Sequence, residues 1–263
     1  MSDDWDFYFC RVDNQLASIY LDLGIAAQAP ITELPCMAYM RIRMRAPRPD
    51  GRSSQAEYDT LIKMEDHLTA TLSHADSTIY VGRNTSGGCR DFYFYRKQSQ
   101  DWDQRVAVAM KEFPEYVYET GSREDSQWTT YRNFLSPSAE DRQRIENRRV
   151  CDRLEKNGDT LTTPREIAHW VHFPDANSRS SFIAQTETLG FSVRNVFDRD
   201  GPDFGFGVQI FRIDLPSFDN IDSVVLPLYQ AAMSAGGEYD GWETQVVPGD
   251  DSSHDRSQSE TLI

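Results

Sequence analysis

Twice along this 263-residue chain the apolar residues change period in the same order: strand, helix, strand, strand, helix, strand. No other feature restricts the fold as much, because it fixes how many faces must be buried and in what sequence along the chain. The first pass begins with residues 5–12 and 16–23, two strands joined by the turn Asp13-Asn14-Gln15. Residues 36–46 form a third strand. Ser54-Gln55-Ala56-Glu57 reads as a capping box, and Tyr58, Leu61, Ile62, Leu68 and Leu72 then recur at helical spacing up to about residue 73. Strands at 78–83 and 90–96 flank the loop Asn84-Thr85-Ser86-Gly87-Gly88, a helix covers 101–113, and a strand at 116–119 closes the first pass.

Ser136-Pro137 reads as the N-cap and first turn of a nearly all-charged helix that stops at Gly158. Only Ile145, Val150 and Leu154 give it an apolar stripe. The second pass follows: a strand at 165–173, a helix from 175 to 189 ended by Gly190, and strands at 191–198 and 204–214 around Asp200-Gly201-Pro202-Asp203. A helix at 217–235 comes next, and Pro227 should kink it or delay its start. Gly236-Gly237 stops that helix, Tyr239-Asp240-Gly241-Trp242 turns the chain, and residues 242–247 are expected to be the closing strand. The fold class is therefore α+β: two ferredoxin-like (βαββαβ) units, the first with an extra N-terminal β-hairpin, joined by a charged helix. The expected divisions are an N-terminal α+β domain at 1–135, a connecting helix at 136–158, a second domain at 159–247 and a disordered acidic tail at 248–263.

Composition narrows function mainly by exclusion. The formal net charge is −15, and residues 161–263 carry 16 Asp and Glu against 6 Arg, or −10. Such a chain repels bare nucleic acid and suits basic partners. DNA is not an expected partner, and RNA is disfavoured. There is no run of about 18 apolar residues to span a membrane. The opening Met-Ser-Asp-Asp-Trp-Asp lacks an export pattern. A cytoplasmic protein with reduced cysteines at Cys10, Cys36, Cys89 and Cys151 is the expectation.

No residue pattern announces catalysis or a cofactor. Nucleophile elbows, phosphate loops and dinucleotide fingerprints are absent from the sequence. His169 and His172 lie on opposite faces of a strand, His169 inward and Trp170 and His172 outward. His67 and His74 sit seven residues apart, so no metal site is expected. Arg41, Arg43 and Arg45 alternate along one strand face, opposite Ile42 and Met44. They form either an anion-binding face or a solvated face paired with the chain's own carboxylates. Arg90-Asp91-Phe92-Tyr93-Phe94-Tyr95-Arg96 lacks the basic–aromatic signature of an RNA-stacking strand, and burial on both sides accounts for it.

Gly158-Asp159-x-Leu161-x-x-Pro164-Arg165-x-x-x-His169, then Phe173, Gly190-Phe191 and Glu238-Tyr239-Asp240-Gly241-Trp242, resembles the regulator of ribonuclease E activity B family over about residues 155–247. Residues 1–135, through Trp5, Tyr8, Tyr80-Val81-Gly82-Arg83 and Phe92-Tyr93-Phe94-Tyr95, look like the family called domain of unknown function 695. The first resemblance implies a non-catalytic protein that binds endoribonuclease E and lowers its activity, altering RNA processing. Candidate protein-contact residues are Tyr239, Asp240 and Trp242 of this motif, together with Trp170 and His172 on the outward face of their strand. The glycine turn and a buried tryptophan would equally explain the Tyr239–Trp242 motif as a folding element. Two other functions stay open on the residues: an RNA- or anion-binding module using Arg41, Arg43 and Arg45, and an enzyme with a cleft between the domains.

Overall fold

In the computed structural model the chain folds around two antiparallel sheets, one of six strands and one of four. The structure describes residues 2, 4–73, 77–98, 100–198 and 204–249. His74, the predicted turn at 200–203 and residues 250–263 of the predicted tail lie outside them. The chain divides into two compact units, Met1–Arg142 and Gln143–Ile263.

The first unit runs β1 (Trp5–Val12), β2 (Gln15–Asp22), β3 (Cys36–Arg43), α1 (Gln55–Leu72), β4 (Thr78–Ser86), β5 (Cys89–Arg96), α2 (Trp102–Ala109) and β6 (Tyr118–Glu124). Its sheet order is β1-β2-β4-β5-β3-β6. Alternation sends Ala38, Met40, Ile42, Phe92 and Phe94 under the two helices. On the opposite face Tyr95 stacks on Trp128, with ring centroids 4.0 Å apart. A π-helical turn at Thr130–Leu135, unforeseen in the sequence, packs Tyr131 there as well. Residues 90–96 are thus buried on both sides, as the sequence suggested. Asp125 pins this covering segment, accepting from Tyr95 Oη at 2.6 Å and from the backbone amides of Thr129 and Thr130. Burial alone would raise its pKa, but these hydrogen bonds hold its carboxyl well below the usual range.

Several local predictions are corrected. The five-residue loop of the β4–β5 hairpin is a two-residue turn, Gly87-Gly88, with φ of 58° and 78°. Paired positive φ values match strand twist, so both flanking strands extend further than pattern alone suggested. The capping box at Ser54 does not form: no side-chain bond caps α1. Glu57 instead accepts from Arg45 N and Ala46 N, each at 2.8 Å, and from Tyr116 Oη at 2.8 Å. A tertiary use for the carboxylate outcompetes the local one.

The second unit contains most of α3 (Ala139–Lys156), then β7 (Arg165–Phe173), α4 (Ala176–Thr188), β8 (Ser192–Asp198), β9 (Phe206–Asp214), α5 (Ile221–Ser234) and β10 (Glu238–Glu243). Its strand order is β10-β7-β9-β8. The N-terminal cap of α3 is Ser138 rather than Ser136, since Ser138 Oγ accepts from Asp141 N at 3.1 Å. Its thin stripe reaches a core, with Cys151 and Leu154 packed among residues of β7, β9, α4 and α5. Helix α5 starts at Ile221 and carries Pro227 inside it. Both α4 and α5 end as the sequence indicated, on Gly190 (φ 83°) and Gly236 (φ 71°). In each case the next amide bonds back five residues, Phe191 N to Thr186 O and Gly237 N to Ala232 O, which satisfies the last carbonyls of the helix.

His169 lies inside this second core, fully buried, with Nδ1 2.7 Å from Tyr239 Oη. Burial, aided by the Arg212 charge, lowers its pKa to about 3, so the ring is neutral.

Two outcomes test this packing. A Cβ added at Gly237 would lie 2.4 Å from the Phe173 ring and 2.8 Å from His172 O. Gly237→Ala is expected to cost about 1–3 kcal/mol in urea unfolding; wild-type stability would contradict the close approach. For His169, the unfolded ring takes up a proton below pH 6.5 that the folded ring refuses until about 3. Stability is complete above pH 6.5 and falls with acidity by up to about 1.4 kcal/mol per pH unit within that window. His169→Phe should remove this component, and equal acid slopes in the two proteins would count against a buried neutral histidine.

Candidate functional site

Strand β10 decides which side chains the second unit shows and which it hides. Tyr239 and Trp242 are three positions apart, so an unbroken strand would send them to opposite faces. Opposite β7, however, Tyr239 pairs with Val171 and Gly241 with Trp170, leaving Asp240 as an extra residue. This β-bulge, with Gly241 at φ 114°, brings Tyr239 and Trp242 to the same, inner side. The closing strand therefore starts at Glu238, not at 242, and the predicted turn is part of it. Trp242 Nε1 donates to Asn147 Oδ1 at 3.1 Å, and Asn147 Nδ2 donates to Asp222 Oδ1 at 2.7 Å, a relay from β10 through α3 to α5.

The bulged Asp240 is exposed, and its Oδ2 lies 3.5 Å from His172 Nε2. Along β7 the alternation that buries Ile167, His169, Val171 and Phe173 turns Trp170 and His172 to the other face. Phe197 of β8 joins them there, its ring centroid 5.9 Å from Trp170 and 5.7 Å from His172. Phe197 sits across from Gly207, where a Cβ would come within 2.1 Å of the ring. Beside this cluster Arg194 pairs with Glu166 and stands 4.6 Å over the Phe211 ring. Glu238, Asp240 and Glu243 line the outer edge strand, which charge protects from pairing with another chain. Helices α3, α4 and α5 all contribute to the single core on the opposite side of the sheet. Among the described residues of this unit, no helix covers the aromatic face.

The five residues singled out for protein contact are thus divided. Trp170, His172 and Asp240 come together on the open face. Tyr239 and Trp242 lie in the core, 8% and 7% exposed, where they can touch a partner only if the unit opens. Phe197, Glu166 and Arg194 were missed. The face that Phe197 takes follows from its pairing with Gly207 of β9, beyond a register shift between Val193 and Asn195, and no local signal in the sequence marks it.

The arginine strand fares differently. Arg41, Arg43 and Arg45 are exposed on one side, and Ile42 and Met44 are buried on the other. Arg45 lies beyond the end of β3. Arg41 is engaged: its Nε and Nη2 reach the two oxygens of Asp91 at 2.6 and 3.0 Å. That two-pronged bond, to a carboxylate only 4% exposed, raises the guanidinium pKa. Among the described residues no group of three His, Cys, Asp or Glu is placed to hold a metal ion. No helix among them is long and apolar enough to cross a membrane.

Comparison with known proteins agrees with the division into two units. No curated protein matches the chain. Among solved structures, an unknown protein from Galdieria sulphuraria is 12% identical, with 79% of this chain and 97% of that one covered and a TM-score of 0.21. A chain of a partial Cas6-RT-Cas1–Cas2 complex is 10% identical, with coverage of 82% and 49% and a TM-score of 0.21. Neither likeness is close enough to bear on fold or function. Two family models do match: a family of unknown function (DUF695) over residues 3–136, just over half of the chain, and regulator of ribonuclease activity B over residues 144–244. The chain belongs to the DUF695 family through its first unit and carries a regulator of ribonuclease activity B region in its second.

Proposed function

We propose that this protein is a non-catalytic regulator that binds an endoribonuclease of the E type through the open sheet face of its second unit and slows RNA cleavage. The observation that carries the proposal is the Trp170–His172–Phe197 cluster, uncovered by the unit's own helices and bordered by Glu166, Asp240 and Glu243. Aromatic anchors surrounded by charge are what a protein interface of moderate size needs. The −10 charge of residues 161–263 suits the basic surface with which a nuclease holds RNA. A partner seated there would occlude RNA without any chemistry by this chain. The matched regulator family supports the same reading. The ferredoxin-like plan belongs to it too: the strand order β10-β7-β9-β8 supports that arrangement in the second unit, and β6-β3-β5-β4 supports it in the first, with the β1–β2 hairpin added at one edge.

The full chain, added to purified endoribonuclease E and a model RNA, is expected to slow cleavage, and less so as salt rises. Trp170→Ala should weaken inhibition at least about tenfold, as loss of a central aromatic anchor does. Asp240→Lys should mainly slow association. If the full chain neither binds nor slows the enzyme, the regulatory reading is lost. Inhibition indifferent to Trp170→Ala would move the contact off this face, and indifference to salt would remove occlusion by charge.

A further inference from the structure

The edge hairpin of the first unit creates a feature that the regulatory reading does not use. The core under α1 and α2 draws on β3, β5 and β4, and from the β1–β2 hairpin only Trp5 packs against it. The sheet therefore continues past the flank of α1 and leaves a groove of about 930 Å³, within the range of small-molecule sites. Its floor is aromatic: Trp5 and Phe7 from β1, Tyr20 from β2 and Tyr80 from β4. Trp5 stacks on Tyr80 at 5.4 Å and lies 5.1 Å from Tyr20. At the mouth, Phe9 and Tyr58 are 55% and 48% exposed and extend the aromatic surface of the floor.

The same groove gathers cations in an acidic chain. Four arginines line it, Arg48, Arg52, Arg83 and Arg90, against two acids, Glu65 and Asp66. Arg48 and Arg52 share Asp50, at 3.2 and 2.8 Å. Arg83 and Arg90 share Glu65, and the sharing is unequal. Arg83 Nε is 2.6 Å from Glu65 Oε2, while Tyr80 Oη donates to Glu65 Oε1 at 2.9 Å. Arg90 is left with Thr85 Oγ1 at 3.1 Å for its Nε. Its Nη1 makes no hydrogen bond, and the nearest carboxylate oxygen, Glu65 Oε2, is 3.7 Å away. The Arg90 side chain is only 3% exposed. Burying a guanidinium without a full partner is costly, and it persists where something else completes it.

We infer that this groove binds a small anion attached to a planar ring, of the size and chemistry of a nucleoside monophosphate, with the anionic group on Arg90 and Arg83 and the ring against Trp5, Tyr20 and Phe9. A planar fork of donors suits a phosphate. The aromatic floor supplies a stacking surface of the kind that recognises bases. Arg52, 5.0 Å over the Phe9 ring, and Arg83, 4.6 Å over Tyr20, hold two of these rings in place.

Calorimetric titration of the full chain tests this with adenosine monophosphate, adenosine, inorganic phosphate and a short adenine oligoribonucleotide as probes. Adenosine monophosphate is expected to bind, with adenosine and phosphate each at least tenfold weaker, because each lacks one half of the recognition. Arg90→Met should weaken binding at least tenfold without lowering the melting temperature, since it removes a buried charge that folding does not complete. Phe9→Ala, at an exposed position, should weaken the nucleotide and leave phosphate unchanged. The inference is overturned if adenosine monophosphate does not bind, or if it binds equally well to Arg90→Met. Binding of the oligoribonucleotide alone would also overturn it, in favour of a strand-binding groove. Because the groove lies in the first unit and the readout is ligand binding, its failure is distinct from failure of ribonuclease inhibition.

Discussion

The single extra residue in β10 organises the second unit. A regular strand cannot place Tyr239 and Trp242 on one side, and both inner hydrogen bonds require that it does. With Asp240 bulged out, Tyr239 reaches His169 and Trp242 reaches Asn147. The first bond seats a buried imidazole, and the second ties α3 and α5 to the edge of the sheet. The same displacement exposes Asp240 beside His172. The two buried bonds and the acidic border of the candidate interface at Asp240 are thus consequences of one irregularity in pairing, while the alternation of β7 turns Trp170 and His172 outward.

Most residues that carry the family resemblance act in folding. The Asp159 carboxylate, buried, accepts from Leu161 N and Val247 N, each at 2.8 Å, and pairs with Arg165. Arg165 also reaches Thr244 Oγ1 at 3.2 Å, so one charged pair clasps the start of β7 to the segment after β10. Gly190 ends α4, and Phe191 places its ring against His169 at 5.5 Å. A motif of this kind identifies a fold family because the backbone needs those residues at those turns. It does not by itself mark a contact surface, and the aromatic face beside it was only half visible in the motif.

Legibility followed the range of the interaction. Helix ends at Gly190 and Gly236 were readable because the left-handed residue and its backward hydrogen bond involve only neighbours. Two-sided burial of residues 90–96 was readable because a strand apolar on both faces has no other stable placement. The Ser54 box failed where long range prevailed: Glu57 had a better use, three donors from residues 45, 46 and 116. The bulge failed for the same reason, since only pairing with β7 shows that Asp240 is supernumerary.

By itself the sequence determined the α+β class, the order and type of nearly all elements, the inward turn of His169 and the acidity of the second unit. Those properties follow from side-chain periodicity, chain-local turn chemistry and net charge. Tertiary structure alone decided which aromatics are hidden and which are shown, that Arg41 is spent on Asp91, and that Arg90 is buried without a full partner. These depend on strand register and on how far a helix reaches across a sheet. Both are set by pairing between residues distant in the chain, which no local pattern encodes.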